Sequence, residues 1–216
     1  MRVFVTALFG LAIALLGYHG QDWLGGATAK RVYPKIPRLV TGHVTQVEQN
    51  FAKISRKGLN KLITECLNQH YQYLAMANYF GRADVALPGF QKYFEDSSQR
   101  EHNRTKVMME YMNKRGGTLK LLRIRAPVMI NFSDGKAALN LALKLSRQLN
   151  VKILLQHSIA IKYKDPNMKL FLDENLVDSQ VRIIKHLGDL ITHLDLMKKS
   201  HSAGLALYMF DLELQK

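Results

Sequence analysis

The sequence predicts an all-α protein: a four-helix bundle with a long crossover and a short fifth helix. Apolar residues recur at three- and four-residue spacing through four long stretches. Only five prolines interrupt the 216 residues. A stretch without usable period, Thr118 to Phe132, separates the second helical stretch from the third. A connection of that length suits an overhand crossover rather than a tight turn between antiparallel neighbours.

The first helix is expected from about Val44, where Val47, Phe51, Ile54, Leu59, Leu62, Ile63 and Leu67 set the pattern, and it continues to Phe80. Gly58 lies inside it and costs up to about 1 kcal/mol relative to alanine. Gly81-Arg82-Ala83-Asp84 breaks the pattern, and Asp84 with Pro88 at a first turn marks the second helix. That helix runs to Lys114 and stops at Gly116-Gly117. The connection that follows contains the apolar segment LLRIRAPVMI, so it is expected to pack along the bundle surface.

Ser133-Asp134 is expected to cap the third helix. Its apolar stripe includes Ala138, Leu141, Leu145, Leu149, Ile153, Ile159 and Ile161. Asp165-Pro166 ends it and opens a fourth helix through Met197. The last helix, about Ala203 to Leu214, is unusually apolar. A monomeric bundle offers it little to bury against, so self-association is expected.

Residues 1–29 form a targeting segment, 30–43 an extended tail with Pro34 and Pro37, and 44–216 the helical domain. Arg2 precedes an uncharged apolar run from Val3 to about Tyr18. That run is short of the about 20 residues of a membrane span. It matches the apolar region of a signal peptide, with Ala27-Thr28-Ala29 as a small-residue cleavage site. The expected destination is the secretory pathway or the extracellular space. The basic, acid-poor leader also suits mitochondrial import, and a retained anchor is the third possibility.

Hydrophobic content of 47% supports a sizeable core and argues against wholesale disorder. The net charge of +14 fits either a well-solvated basic surface or an anionic partner. No lysine/arginine run exceeds two residues, so there is no clear nucleic-acid motif. The single cysteine, Cys66, excludes an intrachain disulfide and cysteine-rich zinc frameworks.

The stretch from Tyr71 to Gly117 resembles the first two helices of a ferritin subunit. Further landmarks are Tyr73, Asp84-Val85-Ala86-Leu87, Lys92-Tyr93-Phe94, Arg115-Gly116-Gly117, Asp165-Pro166, Gln180-Val181, Leu187-Gly188-Asp189 and Gly204-Leu205-Ala206. Their order and spacing are similar to animal heavy-chain ferritins from about Val44 to Leu212. The resemblance implies a ferritin-like bundle that stores iron, as Fe2+ and Fe3+, in a 24-subunit shell of its own copies or with other ferritin subunits.

Oxidising ferrous iron takes carboxylates, which tolerate the change from Fe2+ to Fe3+, and an imidazole within the bundle. A di-iron bundle commonly carries Glu-x-x-His, because that spacing puts both side chains on one helical face. The sequence contains no such pair. Glu101 is followed by Arg104, and His102 points about 100° away around the helix. By the resemblance, the first-helix glutamate falls on Cys66, the tyrosine is Tyr73, and the bridging glutamate is Glu101. The histidine becomes Arg104, the third-helix glutamate becomes Ser146, and the glutamine is Gln180. Glu101 and Gln180 are therefore the remaining metal-ligand candidates, and Glu101 is expected to pair with Arg104. Glu65, one residue from the ligand position, is a substitute carboxylate if the local register shifts.

Mineral nucleation on the second helix is expected to be weak, because Glu95 and Asp96 stand among Gln99, Arg100, His102, Asn103 and Lys106. The resemblance places the threefold-pore acids at Leu170 and Asp173, with a pore histidine at His157. His186 and His193, with Asp189 between them, have the spacing of a surface metal site, but the expectation is that they are ordinary polar residues of a helix face. Asn103-Arg104-Thr105 and Asn131-Phe132-Ser133 are glycosylation sequons, relevant only after secretion. Asn131 is the accessible one, and Asn103 is expected on the inner side. The expected role is a shell subunit with little or no ferroxidase activity. The alternatives are an active ferroxidase with atypical ligands and a repurposed basic cage that binds a polyanion.

Overall fold

Proline and positive-φ glycine mark both ends of the second long helix and the starts of the third and fourth. A computed structural model describes residues 45–128, 132 and 135–216. Its helices are α1 (Lys53–Phe80), α2 (Pro88–Lys114), α3 (Lys136–Lys162), α4 (Pro166–Leu172), α5 (Asp178–Ser200) and α6 (Ala203–Leu214). A π-helical turn, Asp173–Val177, joins α4 to α5, so 166–200 is one long fourth helix. The described residues contain no strand. The all-α bundle with a short last helix is therefore the architecture found. No helix among the described residues is long and apolar enough to cross a membrane. The targeting segment, the tail and the Ser133-Asp134 cap lie outside the described residues.

Pro88 occupies the first turn of α2, where its missing N–H is no loss. Gly116 ends that helix at φ +73°, a left-handed conformation that disfavours a side chain. Gly135 precedes α3 at φ +66°, and a Cβ there would lie 2.5 Å from the Phe90 ring. Asp165 caps α4 by accepting from the Met168 N–H at 2.9 Å.

Four expectations need correction. The first helix starts at Lys53, not near Val44. Asn50 takes φ 49°, and the Arg115 guanidinium donates to its carbonyl at 3.0 Å. Thr45 Oγ1 donates to the Gly116 carbonyl at 2.8 Å. The segment 45–52 is thus folded over the end of α2. Phe51 is buried there against Tyr111, while Val47 stays in solvent.

The buried stripe of α3 is rotated from the one expected. It runs through Ala138, Ala142, Ser146, Leu149, Ile153, Gln156 and Ala160, and Ile161 is exposed. Two polar residues belong to it because hydrogen bonds satisfy them. Gln156 Nε2, for instance, donates to the Ser55 carbonyl at 3.0 Å.

The connection does pack along α1, through backbone-to-amide hydrogen bonds and, at its two ends, through Leu119 and the buried Phe132. Asn60, Asn68 and Gln72 on α1 accept from the backbone N–H groups of Lys120, Arg125 and Val128 at 2.7–2.8 Å. Leu121, Leu122 and Ile124 remain exposed.

The last helix buries more of itself within its own chain than expected. Phe210 packs 5.5 Å from Phe90, and Asp211 Oδ1 accepts from the Phe90 N–H at 2.9 Å. Its other face, with Leu205, Tyr208 and Leu212, is exposed.

The core has two apolar regions. One gathers Leu59, Ile63, Met108, Met112, Ile153 and Leu172. The other is aromatic, built on Phe80, Phe90, Phe94, Phe132 and Phe210. Buried polar residues from α1, α2, α3 and α5 accompany them, including Glu101, Arg104, Ser146 and Gln180.

Candidate functional site

Cys66 and Tyr73 lie seven residues apart on α1, which is two turns on one face. Glu101 and Arg104 share a face of α2 at i,i+3 spacing. Ser146 comes from α3 and Gln180 from α5. All six are buried, and Glu101 and Arg104 are 2% and 8% exposed. The structure thus brings together every position that the resemblance assigned to the oxidation site.

Arg104 joins α2 to α5 within this group. Its Nη1 donates to Glu101 Oε2 at 3.2 Å and Oε1 at 3.3 Å, and to Gln180 Oε1 at 2.8 Å. Its Nη2 donates to Ser179 Oγ at 3.0 Å. Gln180 Nε2 in turn donates to the Ser146 carbonyl at 2.9 Å, and Tyr73 Oη lies 3.5 Å from Ser146 Oγ. Arg100 Nε adds a second positive charge 3.6 Å from Glu101 Oε1. Ser179 went unrecognised in the sequence, which carries no local signal for it. The π-helical turn ends two residues before it and fixes its angular position on α5.

Electrostatics closes the site further. Burial pushes the Cys66 thiol well above its ordinary value, and the Glu101 charge pushes it the same way, against the Arg104 charge. Burial likewise raises the Tyr73 phenol, with Glu101 adding to the shift and the Ser146 hydroxyl opposing it. Both groups are protonated at neutral pH in the metal-free chain. The one carboxylate already accepts from a permanent cation. No group of three His, Cys, Asp or Glu among the described residues is placed to hold a metal ion. Of these six residues, only Glu101 carries a carboxylate. They form a hydrogen-bonded polar layer that ties α2, α3 and α5 together.

Glu65, the substitute carboxylate expected if the register shifts, pairs with cations outside this polar layer. It reaches Lys152 Nζ at 2.6 Å and Arg125 Nη2 at 3.8 Å, in a groove between α1 and α3. Among the pore candidates, Asp173 accepts from Lys169 Nζ at 2.7 Å and lies 2.9 Å from His157 Nε2. The Lys169 hydrogen bond, helped by His157, holds the Asp173 carboxyl below the usual carboxylate range. Leu170 is exposed.

His186, Asp189 and His193 do not converge. Asp189 pairs with Lys185, His193 lies 3.4 Å from Glu213, and His186 packs on the Tyr93 ring. On α2, Glu95 accepts from Gln91, and Asn103 is exposed in the single chain. Asn131 lies outside the described residues.

The model for the ferritin-like domain family matches residues 56–197. The chain is similar to a ferritin lower subunit of Aquarana catesbeiana, 38% identical over 167 residues, which cover 77% of this chain and 96% of that protein. It is also 38% identical to a soma ferritin of Lymnaea stagnalis over 170 residues, 79% of this chain and 95% of the relative. A ferritin light chain, oocyte isoform, of Xenopus laevis is 33% identical over 167 residues, 77% of this chain and 94% of the relative.

Proposed function

The chain belongs to the ferritin family, and from that premise we propose that it is a subunit of an iron-storage shell with little or no ferroxidase activity of its own. The observation that carries this reading is the Arg104 guanidinium, buried between Glu101 and Gln180 and hydrogen-bonded to both. A guanidinium stays charged at any physiological pH and offers no lone pair to a metal. It therefore repels Fe2+ from the position where the resemblance puts an imidazole, and it occupies the one carboxylate.

The subunit's contribution is then structural. Neighbouring subunits that keep a full set of carboxylates oxidise the iron, and this chain completes the wall around the mineral. The Lys169 and His157 partners of Asp173 weaken any cation-focusing ring built from that residue alone. Arg100 and Lys106 disfavour ferric nucleation on α2 in the same way. The net charge of +14 suits contact with more acidic subunits of a mixed shell.

Co-expression with a catalytically competent ferritin subunit tests this role. Mixed shells should form, and they should load iron at a rate set by the fraction of the competent subunit. Failure to enter any shell, alone or mixed, contradicts the proposal.

A further inference from the structure

Glu65 points into a groove that the polar layer does not use. The groove lies between α1, α3 and the connection, with a volume of about 660 Å³. That size falls in the range of small-molecule sites, roughly 300–1,000 Å³. Apolar side chains line it: Ile54, Leu62, Leu155 and Ile159 from the two helices, and Leu122 from the connection. Gly58 also lines it, and a Cβ there would lie 1.7 Å from Gln156 Oε1. Gln156 is held in place by its hydrogen bond to the Ser55 carbonyl. The helix-weakening glycine noted in the sequence thus makes room for a fixed side chain in the groove wall.

Five cations line the same groove: Lys57, Lys61, Arg123, Arg125 and Lys152. Glu65 accounts for Lys152 and Arg125. Lys57, Lys61 and Arg123 have no acidic partner among the described residues. Three unneutralised cations beside an apolar surface call for an anion of more than one charge that carries an apolar tail. A single carboxylate supplies too little charge. A nucleic-acid strand has no use for the aliphatic lining, and no aromatic ring is present to stack a base. The chain's own extended tail, 30–43, does not suit the groove, because Lys30, Arg31, Lys35 and Arg38 carry the same sign as its rim.

We propose that this groove binds a single-chain lipid phosphate. Its acyl chain lies along Ile54, Leu62, Leu155 and Ile159, and its phosphate monoester sits between Lys57, Lys61 and Arg123. The site is independent of the oxidation-site positions, so it stands or falls separately from the proposed shell role.

Isothermal titration of the full chain with dodecyl phosphate, below its micelle concentration, tests the site. One saturable site per chain is expected, weakening as salt rises. Inorganic phosphate should bind at least about tenfold more weakly, because it lacks the tail. The variant Lys57→Ala/Lys61→Ala/Arg123→Ala and the single variant Leu155→Gln should each lose about tenfold or more in affinity. All four side chains are exposed, so thermal melts should show both variants folded. The proposal is overturned by non-saturable uptake, by unchanged affinity in the folded variants, or by inorganic phosphate binding as tightly as the dodecyl ester.

Discussion

The Arg104 guanidinium donates to Gln180 Oε1 at 2.8 Å and so links α2 to α5 across the interior of the bundle. The same nitrogen donates to Glu101, which makes Arg104 both the counter-charge and the tie. Removing one partner of a buried ion pair costs about 3–5 kcal/mol, because the other charge is left uncompensated. Arg104→Ala should therefore lower the melting temperature by about 10 °C or more. The double variant Arg104→Met/Glu101→Gln should recover much of that loss in the same thermal scan.

Arg115 is the second tie that the fold depends on. It pairs with Asp165 at 3.0 Å, and it donates to the Asn50 carbonyl at 3.0 Å. It thereby fastens the end of α2 to the start of α4 and to the segment before α1. Arg115→Ala should destabilise by about 3 kcal/mol in denaturant unfolding. Because the 45–52 segment loses its anchor, limited proteolysis should cut the variant there first.

Alkaline pH should weaken the fold. Burial raises Tyr93 and Tyr111 from their ordinary 10.0 to about 12, and raises Cys66 well above its ordinary 9.0. Above the ordinary values the unfolded chain has released these protons and the folded chain still holds them. Stability then falls with rising pH. The contribution is complete below pH 9 and is lost from there toward pH 12. Melting temperatures across pH 7 to 11 should decline past pH 9, and Tyr111→Phe should decline less steeply.

Restoring the ligands should restore the chemistry. Cys66→Glu, Arg104→His and Ser146→Glu together supply two carboxylates and an imidazole around Glu101. Single ligand and support residues change metal affinity or activity by about ten- to a hundredfold. The triple variant should oxidise Fe2+ faster than the wild type by at least that factor, as read by oxygen consumption. A folded variant with no gain would mean that the backbone holds these positions too far from a working geometry.

Much of the fold was legible in the sequence because its signals are local. Pro88, Gly116 and Asp165-Pro166 punctuate the chain where the structure turns, and the last helix has the bounds expected. The start of α1 was not legible. Val47 and Phe51 continue the helical period, but a long-range grip by Arg115 on the Asn50 carbonyl overrides it. The α3 stripe was misread because Ser146 and Gln156 are polar, and only their partners on other helices explain their burial. The Glu101–Arg104 contact follows from i,i+3 spacing on one helix. Ser179 and Gln180 join it only through the packing of α5, and the cation-lined groove needs three separate elements. No short motif records either.

The most direct measurement is stopped-flow oxidation of Fe2+ by the purified wild-type protein. With Arg104 seated between Glu101 and Gln180, iron should oxidise no faster than in protein-free buffer, and no transient diferric absorbance should appear. A fast diferric intermediate would show that these residues assemble a working iron site, and it would contradict the central claim.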